Sequence, residues 1–547
     1  MHLVKDYVSD LREEFSGYNG KKLSKDLMSG ITVAAVALPL ALAFGVSSGA
    51  TAAAGLVTAI IGGVIISIFS GASFQISGPT GAMTAILVTL ASKYGMQGIL
   101  TACFIAGIIL VIAGILRLGR VIYYIPSSVI TGFTSGIALI IALGQLDNFF
   151  GVTSSGDLAI TKVLSYFTNG FDPNWEAVAI GAAVMLIMIV WPKKLNDKIP
   201  SSLAALVIVL IVCHFLNPGV ETVGQIPKSL FLDDRLSLKG MNMAQFWDLF
   251  VPALSIAALG MIESLLCGAS AGKMKKEELN ADRELVAQGI GNMIIPLFGG
   301  IPATAAIART SVAIKSGCQT RITGIFHAVI LLLSMFVLSP VMSEVPLSAL
   351  AGILIITAWR MNDWKNIHFI FDHKFKSGML KFFITMIATV VLDLTQAIII
   401  GVAFSSFLII VKLTDIDISV SEIDKDRLEE VGVHLPRISN KVRIAYLTGT
   451  IFFAVVDKLV KQLRKQDSAE ALILSMRGVP MIDLSGIEAM IDLVRELEAN
   501  GTEVYLTSVQ PKVLEEMRRG GLIDLIGEEY VFQSAEQAIV IAQQEHM

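Results

Sequence analysis

Charge is scarce in this chain. Of 547 residues only 16% are Asp, Glu, Lys or Arg, while 54% are hydrophobic. Soluble proteins carry about 25% charged residues, so the deficit excludes an ordinary water-soluble protein over most of the length. Cysteine is scarce too. Cys103, Cys213, Cys267 and Cys318 lie in or beside apolar runs with no metal-ligand spacing. That excludes a disulfide framework and leaves them as small packing residues, with no metal site expected. The first 25 residues lack an apolar stretch ending in a small-residue cleavage site, so no signal peptide is expected there. The net charge of -4 averages two unlike halves and points to no partner; no nucleic-acid partner is expected.

What the chain has in abundance is apolar runs long enough to cross a hydrocarbon core about 30 Å thick. Fourteen segments are predicted, at about 27–46, 51–70, 78–91, 97–116, 125–144, 175–192, 200–217, 250–268, 284–298, 303–315, 321–340, 346–358, 380–393 and 395–412. Placing the N-terminus in the cytoplasm puts most loop cations inside: Arg117, Arg120, Lys193, Lys194, Lys198, Lys273, Lys275, Lys276, Arg283, Lys315, Arg321, Arg360, Lys365, Lys374 and Lys376. The opposite loops hold Lys93, Lys162, Lys228, Arg235 and Lys239, the longer ones offset by Asp157, Asp172, Glu221, Asp233 and Asp234. Positive residues stay inside, which predicts a multi-pass protein of the cell (inner) membrane, embedded in lipid, with both termini cytoplasmic.

Two of the predicted segments are interrupted. Residues 71–84 read GASFQISGPTGAMT and residues 299–311 read GGIPATAAIARTS, each placing Gly and Pro before an apolar run too short to span alone. Proline at a helix start costs little, and non-helical backbone at membrane depth is tolerated only where it is buried or lines a cavity. The two are the third and tenth segments, corresponding positions if seven segments repeat with inverted topology. Half-helices that start near the midplane aim unpaired N–H groups and positive dipole ends at one point, which suits an anion. The competing reading is that these Gly-Pro pairs only kink or end ordinary helices.

Glu263, in VPALSIAALGMIESLLCGAS, is a carboxylate in an apolar segment, and such residues mark functional sites by default. A buried acid can carry a proton or help to bind sodium; the alternative is a structural carboxylate bonded to nearby amides or Ser264. Arg309 is predicted about two turns into the second half-helix, where it would lend positive potential to an anion, neutralise Glu263, or serve as a structural ion-pair partner. Asp147 and Asp393 fall at segment ends as interfacial or capping residues, and Leu40 and Phe44, in ALPLALAFG, read from composition as packing residues.

Taken together, LPLALAFG, SGPTGAMT, GMIESLL, GGIPATAAIARTS and a soluble C-terminal part resemble the SulP sulfate-permease family of anion transporters over nearly the whole chain. The resemblance implies a polytopic α-helical fold of fourteen segments in a seven-plus-seven inverted repeat, divided into core and gate domains. It implies an anion site between the third and tenth segments, closed on one side by the first. On the matching motifs, Leu40 and Phe44 would flank the anion, Thr80 and Gly81 would contribute from the third segment, and Ala305 and Ala306 would offer backbone amides with Thr304 and Arg309 nearby. Glu263 occupies the acidic position on the eighth segment, where sodium-coupled bicarbonate members carry Asp; Glu favours proton over sodium coupling. Ala306 and Ala308 stand where some relatives have Ser.

Residues 438–547 alternate strand-like runs (VRIAYLTG, ALILSMR, EVYLTS) with helical ones (AVVDKLVKQLRK, IEAMIDLVRELEA), which predicts an α/β layer structure. In this order they resemble a STAS domain, the usual partner of SulP membrane domains. MIDLSGIEAM then makes Ser485 the equivalent of a phosphorylatable position. The plainer reading is that Asp483 or Ser485 caps the following helix. The expected organisation is a cytoplasmic segment at 1–24, a transport domain at 25–413, a linker at 414–437 and the cytoplasmic STAS domain at 438–547. No catalytic constellation appears there, so an enzyme is not expected, nor any cofactor beyond a coupling H+ or Na+. The predicted function is secondary active transport of a small inorganic or carboxylate anion by a homodimer. Sulfate is the default, with bicarbonate and a dicarboxylate such as fumarate close behind; a channel-like conductor and a membrane sensor are the alternatives of other classes.

Overall fold

The computed structural model describes residues 2–154, 159–196, 199–237, 243–392, 394–424, 428–429, 435, 437–466 and 469–546. Asp157, Lys198, Lys239 and Asp393, used or weighed above, lie outside the described residues. The chain divides into two compact units, Met1–Ala403 and Phe404–Met547. The seam falls inside the last membrane helix and not at the expected end of the transport domain.

In the first unit the principal elements are α1 (His2–Glu14), α2 (Gly20–Ser47), α3 (Ala52–Phe69), β1 (Ser77–Gly78), α4 (Gly81–Ile115), α5 (Ser127–Gly144), α6 (Trp175–Val190), α7 (Ser201–Leu216), α8 (Met243–Lys275), α9 (Ala281–Ile294), β2 (Thr304–Ala305), α10 (Ile307–Lys315), α11 (Ile322–Ser343), α12 (Leu347–Met361), α13 (Trp364–Asp372), α14 (Lys376–Val391) and α15 (Leu394–Leu413). Each of the fourteen predicted segments finds a helix. The third and fourth form one continuous element, α4, with a non-helical Gly95 (φ 64°) inside it. Among the described residues seven helices are long and apolar enough to cross a bilayer by themselves. The shorter ones span as members of bundles, where neighbouring helices shield their ends.

Helix packing sorts these elements into two groups. α2, α3, α4 and α8–α11 pack on one another to form the core, and α5–α7, α12 and α14 form the gate, with α2 also touching α7 and α12 at the seam. Inside lipid there is no hydrophobic drive between helices, so close backbone approach does the work. At the α2–α3 crossing, a β-carbon on Gly55 would fall 2.0 Å from the Ala41 carbonyl oxygen and 2.8 Å from Gly45 Cα. Gly107 of α4 and Gly289 of α9 meet the same way, each blocked by the other's carbonyl oxygen within 2.7 Å. Gly55→Ala should therefore wedge α2 from α3 and cost roughly 1–3 kcal/mol, read as a lower melting temperature of the purified protein in detergent. An unshifted melting curve would mean that the crossing can open freely.

Two carboxylates buried in this unit were not singled out from sequence. Asp26, in the second turn of α2, accepts from Gln319 N (2.6 Å), Thr320 N (3.1 Å), Thr320 Oγ1 (2.7 Å) and Thr323 Oγ1 (2.8 Å), tying α2 to the turn that leads into α11. Glu284 of α9 accepts from Ser70 Oγ (2.7 Å) and Gly71 N (2.9 Å). Beside them, the 1–24 segment is fastened down: Tyr7 Oη donates to Ile68 O (2.7 Å), Glu14 pairs with Arg321 (2.7 Å) and Asp10 with Arg283.

The second unit holds β3 (Asp417–Glu422), β4 (Val442–Thr448), α16 (Val456–Leu463), β5 (Ala471–Gly478), α17 (Leu484–Ala499), β6 (Glu503–Thr507), α18 (Pro511–Arg519), β7 (Val531–Phe532) and α19 (Ala535–Glu545). The sheet runs β3-β4-β5-β6-β7, parallel from β4 onward, with β3 antiparallel along the edge. β3 lies in the stretch expected to be linker, its alternation too polar on both faces to read as a buried strand. Leu472, Leu474 and Met476 of β5 face one core with α17, while Ala471 and Ile473 face a second with α19. Period-two alternation across a sheet covered on both sides explains why this strand reads as continuously apolar.

Candidate functional site

The two interrupted segments meet. β1 and β2 pair antiparallel, Ser77 opposite Ala305 and Gly78 opposite Thr304, as an inverted repeat requires. α4 and α10 start directly after these strands, at Gly81 and Ile307. Non-helical backbone runs through Pro79 after β1 and from Pro302 to β2, which is why both half-helices begin later than the apolar pattern suggests.

This register alters several expected contacts. The amide of Ala305 donates to Ser264 Oγ (3.2 Å) and that of Ala306 to Ile76 O (2.9 Å), so neither is spare for an anion. The amides at the start of α10 that have no intrahelical acceptor belong to Ile307, Ala308 and Arg309. Thr304 is fully buried, with its Oγ1 2.8 Å from Ser264 Oγ and 3.3 Å from Gly260 O on α8. Its hydroxyl therefore ties β2 to α8. Arg309 stands third in α10, within the first turn and not two turns along, because residues 302–306 are non-helical.

Arg309 is 1% exposed. Its Nη2 donates to Pro79 O (2.6 Å), and its Nη1 lies so close to Gly78 that a β-carbon there would be 2.5 Å away. Nη1 has no hydrogen-bond partner among the described residues. Thr80 Oγ1 donates to Glu263 Oε2 (2.9 Å). The guanidinium and the carboxylate therefore hold consecutive residues of one turn, Pro79 and Thr80, with no direct ion pair between them. Glu263 is not bonded to Ser264, whose hydroxyl serves Thr304 and Ala305.

Phe44 and Gly81 are brought together. A β-carbon on Gly81 would lie 2.9 Å from Phe44 Cε1 and 2.3 Å from Ile141 Cδ1. Leu40, one turn earlier, is 5% exposed in the same core. Ile141 comes from the gate helix α5, and nothing in an isolated apolar run distinguishes it. Other residues missed from sequence carried a readable signal, amides in apolar segments. Gln75 Nε2 donates to Ser264 O (2.8 Å), Gln288 Nε2 to Ser77 Oγ (2.8 Å), and Asn292 exchanges hydrogen bonds with both the N–H and C=O of Ala303 (2.8 and 2.9 Å). They brace the strand crossing from behind.

One turn outward from Phe44 and Gly81 lies a cavity of about 490 Å³, lined by Ser47, Thr84, Ile141, Lys93, Lys162 and Asp248 among others. It lies toward the Ser47 end of α2, with Ile141 of its wall packed against Gly81 between it and the crossing. Near that end Asp147 accepts from Tyr166 Oη (2.6 Å) and Ser154 Oγ (2.7 Å), a fastening role at a helix end.

In the second unit, Asp483 caps α17, its Oδ1 accepting from Gly486 N (2.8 Å) and its Oδ2 from Phe453 N (3.1 Å). Ser485 sits in the first turn, half-buried. Asp483→Ala should lower this unit's stability by about 1 kcal/mol, measured by denaturant melts of the full chain followed through this unit. No change would transfer the capping role elsewhere. Side chains close enough to share a cation here are Glu503, Glu545 and His546, but the Tyr505 hydroxyl already lies 2.9 and 2.6 Å from the two carboxylates.

Comparison with known proteins agrees with this architecture. The family model described as the sulfate permease family matches residues 23–388, and that of the STAS domain matches 435–538. YvdB of Bacillus subtilis, named for sulfate transport, is 35% identical over 95% of this chain and 97% of its own. The bicarbonate transporter BicA of Picosynechococcus is 28% identical over 95% of this chain and 94% of its own. Among solved structures, murine Slc26a9 in the inward-facing state superposes with a TM-score of 0.83 at 18% identity, covering 96% of this chain and 92% of that one. The transmembrane domain of a cyanobacterial BicA gives 0.63 at 28% identity over 71% of this chain and 98% of that one. A multi-pass membrane unit of paired inverted repeats, an antiparallel strand crossing within it and a C-terminal α/β unit make this chain a member of the sulfate permease family of anion transporters, with a C-terminal STAS domain.

Proposed function

We propose that the protein is a proton-coupled secondary active transporter of a small oxyanion, sulfate first and bicarbonate second, working by alternating access between core and gate. The observation that carries this reading is the strand crossing itself: two helix starts converge on one point, with the Arg309 guanidinium behind one turn and the Glu263 carboxylate bonded to Thr80 of the same turn. The helix starts and Arg309 supply positive potential for an anion. Glu263 supplies a group that can gain or lose a proton as the anion arrives, and a passive pore gains nothing from such an acid. The outer cavity and the contact of Phe44 and Ile141 over Gly81 supply an access route and a closing layer between core and gate. The distribution of loop cations supports cytoplasmic termini, and the protein works as a homodimer. Ser485 is a regulatory phosphorylation site on the STAS domain: the start of α17 favours a phosphate, while the adjacent Asp483 opposes it.

Uptake into proteoliposomes tests this. Radiolabelled sulfate, bicarbonate and fumarate are compared under imposed proton and sodium gradients. Concentrative sulfate uptake driven by inward protons is expected. If no anion moves under any gradient, the transporter reading fails; uptake driven by sodium alone would replace the coupling ion.

A further inference from the structure

The gate contains an apolar groove that the transport site does not use. It encloses about 830 Å³ and is lined by α5, α6, α12, α13 and α14, including Leu139, Ile189, Trp359 and Phe371. This volume is comparable with that of ordinary ligand pockets, roughly 300–1,000 Å³. Water gains nothing in an apolar groove at membrane depth, so hydrocarbon is the natural filling. A tail alone is held without selectivity, because lipid is as apolar as the groove. What makes the groove selective is its mouth.

Arg360, at the end of α12, lines it. Its Nη1 donates to Ser201 Oγ (3.0 Å) and its Nη2 to Met188 O (2.6 Å), both neutral acceptors. Among the described residues no carboxylate pairs with it. Trp359 and Trp364 pack beside it, tilted at 41° with ring centroids 4.4 Å apart, and Trp364 Nε1 donates to Trp359 O (3.0 Å). Paired tryptophans of this kind sit at the headgroup level of a bilayer. α13, which floors the groove, begins at that level, and over residues 360–376 the cations Arg360, Lys365, Lys374 and Lys376 outnumber the acids Asp363 and Asp372. The Asp363 carboxylate is moreover engaged in capping α13 through Asn366 N (3.2 Å).

We infer that this groove is a binding site for an anionic phospholipid, its acyl chain between α5, α6, α12 and α14 and its phosphate against Arg360. With the Arg360 end facing the cytoplasm, the site opens to the leaflet that carries anionic lipid. It rests on that orientation and not on the identity of the transported anion.

Native mass spectrometry of the full chain, purified in detergent and given phosphatidylglycerol or phosphatidylcholine, tests the inference. Wild type should retain phosphatidylglycerol about fivefold better, the factor carried by one basic contact to an anionic headgroup. Arg360→Gln should erase the preference and Arg360→Lys should restore most of it. Leu139→Trp, a change at an exposed groove position, should lower retention while leaving Arg360 in place. Equal retention of the two lipids by wild type, full preference in Arg360→Gln, or unchanged retention in Leu139→Trp would each overturn it.

Discussion

Glu263→Gln should abolish concentrative anion uptake, with a loss on the order of tenfold or more in the initial gradient-driven rate, while anion binding stays measurable. The substitution is close to isosteric. The Gln side-chain oxygen still accepts from Thr80 Oγ1, whose bond to Glu263 is 2.9 Å in the wild type, so the turn at Pro79 and Thr80 keeps its shape. What is lost is a proton-carrying group at membrane depth, the property that makes a buried acid costly and functional. The measurement is uptake by proteoliposomes under an inward proton gradient, set beside anion binding to the detergent-solubilised protein. The variant should equilibrate its anion without concentrating it and become indifferent to the gradient. Wild-type accumulation by this variant would rule out a coupling role for Glu263.

The second large effect is expected at Arg309. Arg309→Ala removes a buried guanidinium, leaves Pro79 O without its donor and opens a void under Gly78. It also leaves the Glu263 carboxylate without a nearby positive charge. Leaving a buried carbonyl without its donor costs roughly 1–3 kcal/mol, so the melting temperature should fall. Anion affinity should fall as well, by roughly tenfold, since about 1.4 kcal/mol of lost electrostatic attraction in a poorly solvated site has that effect. Stability and affinity are separated with Arg309→Lys, which restores a charge without the planar fork. Affinity should recover more than stability does, because a field acts at a distance while the bond to Pro79 O depends on geometry. If Arg309→Ala binds sulfate as tightly as the wild type, the residue only braces the turn.

These two experiments concern residues that stood out in the sequence for the same reason: each is an ionisable group in an apolar run. The bonding around them did not. Thr304, Ala305 and Ala306 were expected near the anion from the family resemblance, but antiparallel pairing with residues 77–78 commits their polar groups to α8 and to Ile76. A helix-start pattern cannot distinguish a residue at the first turn from one two positions earlier in a strand, and one step of register changes which amides are free. Asp26 shows the complementary failure. It sits just ahead of the first apolar run and was not singled out there, yet it is fully buried and accepts four hydrogen bonds from residues 319–323.

By itself the sequence determined the membrane class, the order of the apolar segments, the interruption of the third and tenth, the α/β nature of the C-terminal part, and the two ionisable groups in apolar runs. All of these follow from local quantities: the length of an apolar run, the period of alternation, the price of a charge in hydrocarbon. Only the tertiary structure decided which residues of the interrupted segments became strand and which became helix. It also decided that Arg309 binds Pro79 O, that Ile141 closes over Gly81, that residues 417–422 form an edge strand, and that an apolar groove ends at Arg360. Those outcomes depend on hydrogen-bond partners and backbone approaches between residues far apart in the chain, 230 positions for Arg309 and Pro79, and no local pattern encodes them.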